Sequence, residues 1–177
     1  MANLEKIDPI GERKCVRVVI ETPRGASAKF KYDPEIKACV LSKELVAGLT
    51  FPFDFGFVPS TLAPDGDPID ALVIHDTPTY PGIVVDCQLI GVLEIDQKQD
   101  GETVRNDRLI FVPVDSHRQD ELNDARELPA RLREEIECFF RSTAELQKKK
   151  IEVLGWRGPR DGAKTLERAM KALKKAG

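Results

Sequence analysis

The chain has 177 residues, enough for one domain with a sizeable core. Its 41% hydrophobic and 32% charged residues are those of an ordinary soluble globule, and a net charge of −3 argues against a general nucleic-acid role. The opening MANLEKIDPIGERK has no apolar run and later apolar runs are too short to cross a bilayer, so neither a secretory signal nor a membrane partner is expected and a cytoplasmic location is.

Residues 1 to 14 are polar and carry Pro9 and Gly11, so they read as an arm on a single domain spanning 1–177. Cys15 to Glu21 reads as a strand with Glu21 at its end. Lys29 to Tyr32 alternates charge and aromatic, which predicts a strand with one wet face; Lys29 and Lys31 then point the same way. Asp33-Pro34 turns the chain, and Ala38 to Leu41 forms another short strand.

Phe51 to Ala71, FPFDFGFVPSTLAPDGDPIDA, ends in three acids, Asp65, Asp67 and Asp70. Asp-Gly and Asp-Pro are turn dipeptides, and Pro68 excludes a mid-helix or central strand position. The acids therefore fall on a rigid loop that feeds a buried strand, Ala71 to Ile74. Carboxylates this close repel each other unless cations neutralise them, and an all-oxygen set suits Mg²⁺ or Mn²⁺. The tetrapeptide DGDP also forms ordinary surface turns, and its spacing does not match an EF-hand loop.

Ile83 to Ile95 is a long apolar strand with a bend at Gly91, followed by a polar hairpin loop over residues 96–107 and a returning strand from Arg108 to Val114. Pro129 opens a helix running to about Lys149, with an apolar face of Leu128, Leu132, Ile136, Phe139, Phe140, Thr143 and Leu146. Lys148 to Lys150 suit its negative C-terminal end. Ile151 to Leu154 is a short strand, and Asp161 caps a last helix with Leu166, Met170 and Leu173 on its apolar face. Strands first and helices later predict an α+β fold: a small closed OB-like β-barrel with two C-terminal-region helices packed on it. Cys15, Cys39, Cys87 and Cys138 form no CxxC pair and read as buried free thiols; His75 and His117 read as structural or surface histidines.

DGDPIDA, Asp65 to Ala71, resembles the signature of the soluble family I inorganic pyrophosphatases. FPFDFGFVPSTLAPDGDP resembles the segment that leads into it. Val18 to Pro23 followed by Lys29-Phe30 resembles the family's first active-site strand, and Val153-Leu154-Gly155-Trp156 the strand before its last helix. The resemblance implies Mg²⁺-dependent hydrolysis of pyrophosphate, with Mn²⁺ as a substitute. Asp65 and Asp70 would bind the metal ions, Asp67 would be the base, Glu21 would edge the metal cluster, and Lys29 would hold a phosphate. It also implies a homo-oligomer, a hexamer in bacterial relatives.

Several positions depart from the family pattern. Lys31 stands where an acid is usual, and Lys43 where an arginine grips the leaving phosphate. Phe51 and Phe55 offer no hydroxyl, and Thr143-Ala144 replaces a Tyr-Lys pair. The Asp-x-Lys triplet appears as Asn106-Asp107-Arg108, so either Asn106 contributes a carbonyl oxygen or the register slips and Asp107 serves as a metal ligand. The preceding metal-ligand acid is Asp96 or Asp100, with Asp96 preferred. Lys29, Lys31, Lys43 and Arg108 together form the expected phosphate pocket. These changes describe a divergent, slower enzyme. The alternative is a weakly active or inactive relative that binds a phosphate-rich ligand as a sensor or assembly partner.

Overall fold

The computed structural model describes residues 3–99, 101–116 and 121–176. Its strands are β1 (Val16–Thr22), β2 (Ala28–Asp33), β3 (Ala38–Glu44), β4 (Asp54–Phe57), β5 (Asp70–Val73), β6 (Val84–Gln99), β7 (Glu102–Arg105), β8 (Arg108–Pro113) and β9 (Lys150–Arg157). The two α-helices are α1 (Ala130–Glu145) and α2 (Pro159–Ala176). Strands β1, β4, β5, β8 and β6 pair in that order, and β6 pairs back with β1, so these strands close a ring. All of these pairings are antiparallel except β5–β8, which is parallel. β7 and β9 extend the ring from β6, and β2–β3 is a separate hairpin. The α+β barrel with two helices is thus the architecture the sequence predicts.

Strands β5 and β8 are apolar at nearly every position because they are buried on both faces. Ala71, Val73, Leu109 and Phe111 pack with Leu166 and Ala169 of α2. Leu72, Ile74, Ile110 and Val112 turn the other way and pack with Ile136, Phe139 and Phe140 of α1. Period-two strands under 3.6-period helices produce this sorting without further instruction.

Three elements differ in extent from their sequence reading. Residues 96–107 are not a loop: β6 runs to Gln99 and β7 pairs back from Glu102, with Asp96 opposite Arg105. Helix α1 ends at Glu145, so Leu146 lies past it and is exposed. Pro159 opens α2, which places Asp161 within its first turn rather than at its cap. The arm is docked, not loose: the Leu4 N–H donates to Tyr32 Oη at 3.1 Å, and Ser60 Oγ–H donates to the Ile7 carbonyl at 2.8 Å. All four cysteines are free, but only Cys15 and Cys87 are buried; Cys39 is half-buried and Cys138 exposed. His75 is buried, whereas His117 falls outside the described residues. Among the described residues no helix is long and apolar enough to cross a membrane.

Two contacts hold the site-bearing strands in place. Gly56 of β4 lies so close to β1 that an added Cβ would meet the Val19 carbonyl oxygen at 1.8 Å. The fully buried Asp54 carboxylate accepts from the Arg24 N–H at 2.7 Å and from Thr79 Oγ–H at 2.6 Å, and lies 2.7 Å from His75 Nε2. It thereby ties β4 to the loops after β1 and β5. Gly56→Ala is expected to destabilise the protein by about 3 kcal/mol, because backbone rather than a flexible side chain would have to move. Asp54→Ala is expected to cost about 3 kcal/mol, because it strands the Arg24, Thr79 and His75 groups. Urea unfolding of both variants measures these losses.

Candidate active site

The acid loop is built by its own backbone. Ala63 N–H donates to the Asp67 carbonyl at 2.8 Å, Gly66 N–H to the Ala63 carbonyl at 3.0 Å, and Ile69 N–H to Thr61 Oγ1 at 3.0 Å. Gly66 has φ +89°, a conformation in which a β-carbon is strained. Asp67 N–H donates to Asp65 Oδ1 at 3.2 Å, an Asx turn that orients the first acid. Asp70 then opens β5, directly beside Arg108 in the parallel register.

The loop forms one wall of a cavity of about 460 Å³, with Asp65, Asp67 and Asp70 on its lining. Lys29 and Lys43, directly paired across β2–β3, supply a second wall. Like charges in direct cross-strand pairing repel, and Lys29 Nζ stands 5.1 Å from the Phe55 ring centre. Burial first, then Lys29 and Lys149, pushes the Lys43 ammonium down to a pKa of about 8. A third wall carries Gln97, Val104, Asn106 and Arg108, and a fourth carries Phe139, Phe140, Thr143, Ala144 and Lys149 from α1 and the turn after it.

Arg108 is buried, with only 8% of its surface exposed. Its guanidinium carbon stands 4.9 Å from the Phe140 ring centre, Nη2 is 3.5 Å from Asp70 Oδ2, and Nη1 donates to the Asn106 carbonyl. Its Nε is buried without a hydrogen-bond partner among the described residues. A buried cation with an unused donor on a cavity wall suits an anionic ligand.

Lys31 and Glu21 stand beside the cavity. Lys31 Nζ is 3.0 Å from Asp67 Oδ2, in a pair about half exposed on both sides. Such a pair adds little stability, about 0–1 kcal/mol. Glu21 is buried and accepts the Tyr32 N–H at 2.7 Å. Burial raises its pKa to about 7, against the lowering effects of the Tyr32 N–H and of Lys29.

The structure thus gathers Asp65, Asp67, Asp70, Lys29, Lys43 and Arg108 around one cavity, with Glu21 and Lys31 at its edge. It does not bring Asp96 and Asp107 there. Arg105 holds both on the other side of the hairpin, Asp107 at 2.6 Å and Asp96 at 3.5 Å, together with Glu94 at 2.9 Å. Asp107 also accepts the Ile95 N–H at 3.0 Å. The reason is strand alternation: residues 102, 104, 106 and 108 face the cavity, so 105 and 107 face away. Gln97, opposite Val104, shares the cavity side, and Asn106 Nδ2–H donates to Gln97 Oε1 at 3.3 Å. Asp100 falls outside the described residues. Sequence reasoning missed Gln97, Glu102, Gln147 and Lys149, which line the cavity; treating 96–107 as paired strands would have found Gln97 and Glu102.

The donor set fits a hydrated divalent cation. Burial raises the Asp65 pKa, and the neighbouring Asp70 and Asp67 raise it further, so charge is crowded on this wall. Among the described residues no three His, Cys, Asp or Glu side chains stand close enough to cage an ion by themselves.

The Glu21 carboxyl has a measurable consequence. Its folded pKa lies above its ordinary value of 4.5, so its contribution to stability is full below pH 4.5 and declines as pH rises to about 7. The loss amounts to about 3 kcal/mol. Glu21→Gln is expected to lack this decline, so its unfolding free energy gains by about that amount on the parent's between pH 4 and pH 8. Parallel urea titrations across this range test the assignment.

A family description of inorganic pyrophosphatase matches residues 18–174. The inorganic pyrophosphatase of Thermus thermophilus is 38% identical over 162 residues, covering 89% of this chain and 90% of the relative. That of Synechocystis is 36% identical over 155 residues, covering 88% and 89%. The crystal structure of the Thermus thermophilus enzyme superposes with a TM-score of 0.90 at 32% identity, covering 98% of this chain and 99% of the other. The Helicobacter pylori enzyme superposes with a TM-score of 0.85 at 31% identity, covering 96% and 99%. With the sequence matched nearly end to end and the fold matched throughout, this chain belongs to the family I inorganic pyrophosphatases.

Proposed function

We propose that this chain hydrolyses inorganic pyrophosphate to two phosphates. The observation that carries the reading is a single cavity with three carboxylates of the acid loop on one wall and cationic side chains on the three others. A small anion that carries its own divalent counter-ion is complementary to both. The family relationship supports the same activity over the whole chain, read as one catalytic domain.

Metal dependence is general in the family, and here Asp65 and Asp70 would hold the ion, Mg²⁺ or Mn²⁺. When bound, it supplies Lewis acidity toward phosphoryl oxygens and acidifies the attacking water. Lys29, Lys43 and Arg108 bind phosphoryl oxygens and fix the anhydride in line for displacement. Asp67 accepts the proton of the attacking water as general base. Lys31, 3.0 Å from Asp67 Oδ2, orients that carboxylate. Glu21 sits behind Lys29 and Lys31 as a buried carboxyl in their field. Asn106 and Gln97 offer neutral amide groups toward the same anion, and Asp96 and Asp107 brace the hairpin through Arg105. A homo-oligomer, a hexamer by family resemblance, in the cytoplasm completes the proposal.

Phosphate release from pyrophosphate by the purified chain is expected to require added Mg²⁺ and to vanish with a chelator. Asp67→Asn is expected to lower the rate about a hundredfold or more, the range for loss of a general base. Saturating Mg²⁺ with no turnover by the parent protein would overturn the proposal. Light scattering on the eluting protein tests the hexamer.

A further inference from the structure

A second hollow lies behind the acid loop, between that loop, the reverse face of the β6–β7 hairpin and helix α2. Its volume is about 770 Å³, larger than the catalytic cavity and within the range of about 300–1,000 Å³ typical of small-molecule pockets. The loop divides its residues between the two spaces. Asp65 and Asp67 line the catalytic cavity, Leu62, Ala63 and Ile69 line the hollow, and Pro64 lines both. The Leu62 N–H donates to the Ala169 carbonyl at 3.0 Å, which fixes the loop to α2 at this point. Ala169 and Ala172 continue the apolar lining on the helix. The charged groups are of two kinds. Arg105 ion-pairs with Glu94 at 2.9 Å and with Asp107 at 2.6 Å, so the hairpin side is matched within the protein. Arg168 of α2 is exposed, and its Nη2–H donates to Oγ1 of the buried Thr165 at 2.9 Å. The ion pairs within α2 are Lys164–Asp161 and Lys171–Glu167, and among the described residues Arg168 has no carboxylate partner.

We propose that this hollow is a second ligand site, which takes a small aromatic carboxylate and is coupled to the acid loop through their shared wall. The apolar side covers the ring, and the Arg168 fork, steadied by Thr165, pairs with the carboxylate. Glu94 and Asp107 repel a second negative charge, which selects a monoanion over pyrophosphate or a nucleotide. A bound ring adds apolar contact to the back of the loop in the conformation that presents Asp65 and Asp70 to the cavity. A ligand that favours this conformation favours cation binding there by the same factor as the cation favours the ligand. The coupling rests on the hydrolase reading with its divalent cation; the binding site does not.

The probe is anilinonaphthalene sulfonate, an apolar ring system with one negative charge. It is titrated by fluorescence against the full chain in Mg²⁺ and saturating phosphate, so that the catalytic cavity is occupied. The parent is expected to bind it, Arg168→Gln to bind it about tenfold more weakly, and Ala172→Phe, whose ring fills the hollow, not to bind it. Lys171→Gln, at an exposed position paired with Glu167, is expected to match the parent. Melting curves confirm that each variant is folded. The probe is also expected to lower the Mg²⁺ concentration for half-maximal hydrolysis about fivefold in the parent and to leave it unchanged in Ala172→Phe. Equal probe affinity in the parent, Arg168→Gln and Ala172→Phe would overturn the site. A parent that excludes the probe, with a smaller assembly of Ala172→Phe in light scattering, would give the hollow to a second copy of the chain and overturn the site as well. Binding that depends on Arg168 with an unchanged Mg²⁺ requirement would overturn the coupling. The same binding by a chain that does not hydrolyse pyrophosphate would uphold the site and overturn the hydrolase reading.

Discussion

The parallel pairing of β5 with β8 is the constraint from which the site follows. It sets Asp70 beside Arg108 and opens both strands at the same level. One residue carries the loop's last carboxylate, the other a buried guanidinium, and the ion pair between them spans 3.5 Å. Because the two strands belong to a closed ring, neither can slide without breaking the pairings on its far side. A charge pair at a ring seam is therefore held by the whole barrel, not by its own modest attraction.

From that seam the site spreads in two directions. The acid loop approaches along β5, rigid through its own hydrogen bonds, and brings Asp65 and Asp67. The lysines arrive on β2–β3, a hairpin outside the ring. Lys31 links the two by its contact with Asp67. The acids and Arg108 are thus mounted on the closed ring and the lysines of β2–β3 on a separate hairpin beside it. That division suits a reaction in which charge stabilisation must be preorganised while the anion enters and two products leave.

The cavity's remaining side departs from the family pattern. Amide groups of Gln97 and Asn106 stand where further carboxylates would have attracted more cations. Asp96 and Asp107 are not lost but lie on the reverse face, paired with Arg105, while the exposed Glu102 stands on the cavity side. Turned inward, they would bring two more negative charges toward the substrate anion. Turned outward, they help staple β6 to β7 through Arg105.

Much of the fold was legible in the sequence because its signals are local. DGDP with Pro68 specifies a turn wherever it occurs, and the apolar runs of β5 and β8 specify burial on both faces. The heptad-like spacing of Ile136, Phe139 and Phe140 likewise specifies a helix with one wet side. The order of strands before helices then fixed the class. What tertiary structure alone decided was which way each polar residue of 96–108 points. A run such as DQKQDGETVRNDR reads equally as a loop or as two strands, and shifting it by one position exchanges every cavity residue for its outward neighbour. The pairing of Asp96 with Arg105 settled that choice, sending Asn106 inward and Asp107 outward. Lys149 was hidden for a related reason: its direction depends on a left-handed Lys148 and a carbonyl five residues back, a geometry that no residue-type preference announces.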